Sequence, residues 1–338
     1  MAGMANAAPS LSPSDASLDA AAARLAALLT AGGADMFDAG GRGDLVFEPR
    51  IELRPLARRP APPDTWAVDG GQAVVADARC VQLLVTRASR VRFRAGACVL
   101  EEEGDLRAAV LGPGLAADAR AGLALDGLAA DCAVDVNLLR DRWEWEAAER
   151  AVEEADEGAL VLVDGDLQPD WRIPSPFLAG LLGRAAARGV LLAGVTKHSS
   201  LARGGAPLLG QLEVEAAERL GPRAMWWAPV GRTRPDVGYG LQVVAARLDP
   251  DARFAFRVDL PAEADAAAAL GALSAVCDDA AFPGYPYPLS VADRLAACPG
   301  WLRAEIRLQV DDRFDRAGVP PEVRERAFAD RHDLMERA

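Results

Sequence analysis

Two aspartates in this 338-residue sequence stand in the same local setting. Asp69 follows the apolar stretch Trp-Ala-Val and precedes Gly70-Gly71 (WAVDGG), and Asp164 follows Leu-Val-Leu-Val and precedes Gly165 (LVLVDGDL). A carboxylate where a buried strand stops is held by rigid backbone and projects from the sheet end into a crevice. One Asp-Gly pair is ordinary turn chemistry. Its recurrence after two apolar runs points to a shared task. Two such carboxylates converging on one point supply the hard oxygen ligands that Mg²⁺ and Mn²⁺ require. Asp166, inside the second turn, is an alternative ligand on less rigid backbone.

Three further segments carry candidate chemistry. LLRDRWEWEAAER offers Glu144, Glu146 and Glu149, one of which completes an Asp-Glu-Asp cluster if it lies on the inward edge of its helix; a solvated charged face is the competing reading. In GVTKHSS, Lys197 comes just after an apolar strand. It shares the sheet edge with Asp164 if the two strands are parallel neighbours, where it can hold a scissile phosphate or its attacking water. His198 beside it is a candidate acid or base, although lone histidines are more often structural. FPGYPYPLSVADRLA holds Tyr285 and Tyr287 in a stiff loop, with Asp293 on the helix that follows. The tyrosines offer an aromatic face for a base, or simply rigid packing.

Elements that position these residues are legible in outline. Residues 1–13 are expected to be a disordered arm. A helix starts near Ser14, and residues 34–63 form an irregular extension rich in Arg and Pro. From Thr65, TWAVDGGQAVV reads as strand, tight turn, strand, and residues 81–110 read as an antiparallel meander. A long helix is expected over about Val136 to Glu154. After it, ALVLVDG and VLLAGVT are short apolar runs bounded by turns, the mark of buried central strands. Meander first and βαβ units afterwards predicts a mixed α/β sheet with helices on both faces. The main domain then spans residues 64–300, with a C-terminal extension over 301–338.

Composition sets limits. The net charge is −13, so a nucleic acid must be held by a local basic patch rather than by overall attraction. Arg90, Arg92 and Arg94 alternate along one strand and share a face, with Val91 and Phe93 on the core side. This face serves DNA phosphates or merely solubility, and Arg203, Arg232 and Arg234 extend it. Five scattered cysteines without a CxxC pair suggest a reducing, cytoplasmic setting and no zinc site. No apolar run reaches the roughly 18 to 20 residues of a membrane span.

The ordered set WAVDGG, RDRWEWEAA, LVLVDGDL, GVTKHSS and GYPYPLSVADRLA resembles the NurA nucleases over residues 64–300. The resemblance implies an RNase H-like fold, a homodimer, and Mn²⁺-dependent (or Mg²⁺-dependent) degradation of DNA from 5′ ends, with single-strand endonuclease activity also open. It implies a hexameric HerA-type ATPase as partner in DNA-end resection. By the same resemblance Asp69, Glu144 and Asp164 are acidic metal ligands, with Glu146 an alternative to Glu144. Lys197 and Tyr287 are further catalytic positions. Asp293 stands where archaeal members carry a histidine near the metal. Two other classes are weighed against this: a non-catalytic subunit that binds the ATPase, and a phosphotransferase on an actin-like fold. The latter needs a second phosphate-binding glycine turn in a repeat of the fold, which the sequence does not show.

Overall fold

The structure, a computed structural model, describes residues 15–30, 33, 35–41, 43–125, 127–129, 131–329 and 335. The arm expected over residues 1–13 and its boundary at Ser14 lie outside the described residues. The N-terminal part holds α1 (Asp15–Thr30), β1 (Met36–Asp38), β2 (Leu45–Phe47) and β3 (Arg54–Pro55). The meander follows as β4 (Thr65–Asp77), β5 (Gln82–Arg94), β6 (Ala97–Glu103) and β7 (Arg107–Leu111). Next come α2 (Ala116–Leu123), α3 (Val136–Glu154), β8 (Leu160–Asp164), α4 (Ser175–Ala187) and β9 (Leu191–Thr196). A small hairpin, β10 (Leu201–Arg203) and β11 (Ala206–Pro207), leads into α5 (Leu208–Leu220). Three antiparallel strands, β12 (Trp226–Thr233), β13 (Leu241–Arg247) and β14 (Phe256–Pro261), precede α6 (Ala266–Ser274) and α7 (Tyr287–Ala296). The chain continues through α8 (Gly300–Arg316) and α9 (Pro321–Phe328).

The main sheet runs β2-β12-β13-β14-β9-β8-β4-β5-β6, with β3 on β12 and β7 on β5. Among the described residues only β4, β8 and β9 pair in parallel; the meander on one side and β12 to β14 on the other are antiparallel. The central strand β8 is an apolar run whose first four residues are buried, because helices cover both of its faces. Val161 and Val163 join Trp145, Ala148 and Val152 of α3 and Leu178 and Leu181 of α4 in one core. Leu160 and Leu162 join Leu270 and Leu273 of α6 and Leu289 and Ala292 of α7 in the other. This is the expected mixed sheet with helices on both faces.

Helix α3 matches its expected bounds because its start is encoded: Asp135 caps it, accepting from Leu138 N at 2.9 Å. Two expectations fail. TWAVDGGQAVV is not strand, turn, strand but part of the single strand β4, and the turn comes later, at residues 78–81. Residues 34–63 are also less irregular than expected. β1 pairs with β10, and β2 and β3 add to the edge of the main sheet along β12.

Candidate functional site

Parallel pairing puts the C-terminal ends of β4, β8 and β9 on one sheet edge. The β4–β8 ladder ends at Val68↔Val163, so Asp69 is the first residue beyond it. Asp164 closes β8 opposite Val195 of β9, and Lys197 is the first residue after β9. Three of the candidates therefore meet at one edge because of strand order alone.

The glycines after Asp69 serve close approach instead of a turn. A methyl on Gly70 would lie 2.9 Å from Glu144 Oε2, and one on Gly71 would lie 1.8 Å from the Ala296 carbonyl oxygen. The two residues thus face opposite layers, α3 on one side and the end of α7 on the other. Helix α7 is also tied to β5, since Ser89 Oγ donates to the Ala292 carbonyl at 2.7 Å and Arg87 Nη1 to the Leu295 carbonyl at 3.4 Å. These contacts fix Asp293 of α7 over the strand ends.

One carboxylate oxygen each from Asp69, Asp164 and Asp293 lies within 4.8 Å of the other two. Asp69 is buried and Asp293 exposed, so the cluster opens to solvent on one side. Burial, and then repulsion from Asp164, push Asp69 up to about 7. The hydrogen bond from Gly70 N to Asp69 Oδ1, at 2.7 Å, offsets this only in part. Lys197 bridges the other two acids, with Nζ 2.6 Å from Asp164 Oδ2 and 3.0 Å from Asp293 Oδ1. Burial alone would lower the ammonium, but its contacts with Asp164 and Asp293 outweigh this and raise it.

Glu144 reaches the same edge from the other layer. It is buried on α3 against Gly70, outside the three clustered carboxylates. Burial and then the charge of Asp69 raise it well above the usual carboxylate range. Glu146 points elsewhere, paired with Arg107 at 3.0 Å, which disfavours it as the alternative ligand. Asp141, one helical turn before Glu144, is pushed up to about 6 by burial. Sequence reasoning missed it, although the i, i+3 spacing to Glu144 was the available signal. Asp166 turns away from the cluster toward Arg257, at 3.7 Å.

Tyr287 requires a correction. Tyr285, not Tyr287, donates to Asp164 Oδ1, at 3.1 Å, and its ring is held by Phe256 and Phe282 with centroids 5.5 and 6.1 Å away. Gly284, at φ 93°, makes the bend that turns Tyr285 inward. Tyr287 opens α7 and packs edge-to-face on Phe93, centroids 5.1 Å apart. His198 is exposed and not among the clustered ligands.

The arginine face is also corrected. Arg90 is buried and pairs with Glu102 and Glu154, the latter at 2.8 Å. Arg92 pairs with Asp64 and Asp156, and so does Arg94. The guanidiniums of Arg90 and Arg92 lie 5.5 and 4.8 Å from the Trp66 ring. Val91 and Phe93 do face a core, but carboxylates from α3 and β6 and the Asp64 and Asp156 loops cover the arginine side too. Arg203 is likewise engaged, with Glu215 and with Gln211 at 2.8 Å. None of the four is a free phosphate ligand.

A sequence model of one family, the NurA domain, matches residues 238–298, the stretch that holds Tyr285 and Asp293. In this stretch the chain is similar to the NurA domain. Among solved structures it is similar to the NurA nuclease from Sulfolobus solfataricus, with 16% identity, 79% of this chain and 88% of that one covered, and a TM-score of 0.57. That likeness shows that the two chains share a fold. A NurA structure with manganese matches at 11% identity, 78% and 91% coverage and a TM-score of 0.49. Human endonuclease V matches at 15% identity, 73% and 86% coverage and a TM-score of 0.38. No curated protein matches the chain. Among the described residues, no helix is long and apolar enough to cross a membrane.

Proposed function

We propose that this chain is a NurA-type, metal-dependent deoxyribonuclease whose cation is held by Asp69, Asp164 and Asp293. The observation that carries the reading is their convergence within 4.8 Å on the edge of three parallel strands. The donor set fits a divalent ion of the Mn²⁺ or Mg²⁺ kind: all oxygen, all anionic, and mutually repelling in its absence. Burial raises the Asp69 carboxyl most, and repulsion from Asp164 adds to it.

A bound ion would activate water and stabilise the leaving oxygen of a phosphodiester. The chain's own groups do the rest. Tyr285 and Lys197 each donate to one oxygen of Asp164 and fix the orientation of that carboxylate. Lys197, once released from the carboxylates, has its ammonium at the solvent side, where it can contact a non-bridging phosphate oxygen and offset charge that builds in the transition state. Glu144 keeps its proton further up the pH scale than an ordinary glutamate, which limits the negative charge of the cluster, and stands by as a fourth acid behind Gly70.

The family resemblance supports a 5′–3′ exonuclease working as a homodimer with a HerA-type ATPase, and five free cysteines suit a cytoplasmic setting. We assign the assembly surface to α1, where Leu18, Leu25, Leu28 and Leu29 are exposed. Removal of residues 1–30 tests that surface cleanly. A cut at residue 60 would not, because it also removes β1 to β3 from their sheets and Asp38, which pairs with the buried Arg257 at 3.0 Å.

The activity is tested with purified chain and end-labelled DNA in Mn²⁺, in Mg²⁺ and in EDTA, alongside Asp69→Asn and Asp164→Asn. Metal-dependent degradation that EDTA and either substitution abolish is expected. Equal digestion by both variants overturns the reading. A chain that binds Mn²⁺ and the ATPase but leaves DNA intact is the non-catalytic subunit instead.

A further inference from the structure

With a net charge of −13, and Arg90, Arg92, Arg94 and Arg203 consumed by ion pairs, a polyanion needs another hold on this chain. Arg79, Arg303 and Arg326 are exposed and make no ion pair among the described residues. All three line one groove, of about 670 Å³, between the far end of β4 and helices α8 and α9. Arg307 lies in the same lining, paired with Asp311 at 3.4 Å and 5.4 Å from the Phe328 ring. Asp77 is the one carboxylate of the lining, and its oxygens already accept from Arg79 N and Gln82 Nε2.

The groove and the carboxylate cluster share a strand. Asp69 and Asp77 are eight residues apart on β4, about 26 Å at the rise of a strand. That span equals roughly eight base pairs of duplex at 3.4 Å each. Helix α7 crosses β4 at Gly71, and α8, which brings Arg303, begins four residues after α7 ends. Three exposed guanidiniums spread along an open groove do not enclose a small anion. They match a repeating phosphate backbone, which each can neutralise at a separate phosphate.

We propose that this groove is a phosphate-backbone track that holds DNA some 26 Å from the carboxylate cluster, along β4. The proposal rests on the nuclease reading for the identity of the polyanion. An acidic chain gains directional grip in this way, because an arginine cluster without ion pairs among the described residues lies beside the strand that also presents Asp69.

The test uses the full chain with EDTA present, so that nothing is cleaved, and reads anisotropy of a labelled duplex of about 20 base pairs across a salt series. The slope of log affinity against log salt is expected to fall by about 2.7 in Arg79→Ser/Arg303→Ser/Arg326→Ser, at about 0.9 per lost phosphate contact. The corresponding triple Lys variant keeps the wild-type slope, which separates lost charge from a disturbed fold. Arg24→Ser/Arg219→Ser/Arg253→Ser removes the same charge from exposed positions elsewhere and leaves the slope unchanged. Arg307 and Arg324 stay, since Arg324 ties α9 to α8 through the Asp311 carbonyl at 2.7 Å. An unchanged slope in the groove variant, or an equal fall in the control variant, overturns the proposal. A groove-specific fall in a chain that digests no DNA in Mn²⁺ would refute the nuclease reading and leave the track standing.

Discussion

The ammonium of Lys197 stands 2.6 Å from Asp164 Oδ2, reaching it from the end of the neighbouring parallel strand. It is the cation that holds the acidic cluster together when no metal is there. Lys197 therefore competes with a metal for the same oxygens, and it becomes available to substrate once displaced. Lys197→Met is expected to bind Mn²⁺ at least as tightly as wild type, by calorimetry, while turnover falls on the order of 100-fold, the cost of losing one preorganised charge donor. Weaker Mn²⁺ binding in that variant would make Lys197 a support for the ligands, with no part in the reaction.

The two loop tyrosines separate sharply. Tyr285→Phe removes the hydrogen bond to Asp164 Oδ1, and activity is expected to fall roughly 10- to 150-fold, in line with about 1.5 to 3 kcal/mol for a hydrogen bond to a charged group. Tyr287→Phe keeps the ring that packs on Phe93 and leaves activity unchanged. Steady-state turnover of both variants on one DNA substrate checks this, and the reverse ranking would restore Tyr287 to the site.

Much of the site was legible before the fold. The apolar runs before Asp69 and Asp164 mark strands buried on both faces, and their shared edge places Lys197 once β8 and β9 are parallel. What escaped depended on contacts between distant segments. Gly70-Gly71 reads locally as a turn, yet Glu144 from α3 and Ala296 from α7 close on it from opposite sides and demand extended backbone without side chains. The alternation of Arg90, Arg92 and Arg94 shows that they share a face but not what covers it; Glu154 and Asp156, more than 60 residues on, do so. Between Tyr285 and Tyr287 the choice turns on the bend at Gly284 and the start of α7, neither of which a Pro-Tyr repeat discloses.

The raised Asp69 carboxyl gives a pH signature of definite sign. Its value moves from 3.8 to about 7 on folding, so the folded state holds the proton more tightly than the unfolded state. Its contribution to stability is present below pH 4 and is lost as pH rises toward 7. Metal-free Asp69→Asn, which mimics the protonated form, should match wild type in denaturant stability near pH 4, exceed it increasingly up to about pH 7 and level off above that. Mn²⁺ affinity of the wild type should climb through the same window, as the ligand sheds its proton. A stability difference that does not change with pH would place Asp69 in an ordinary, solvated environment.

The central claim is that Asp69, Asp164 and Asp293 form one cation site. Anomalous diffraction from crystals soaked in Mn²⁺ measures it directly. A manganese peak bound by oxygens of all three carboxylates is expected, with Lys197 drawn away from Asp164. A structure in which Lys197 keeps both of its carboxylate contacts and no manganese touches Asp69 would contradict it.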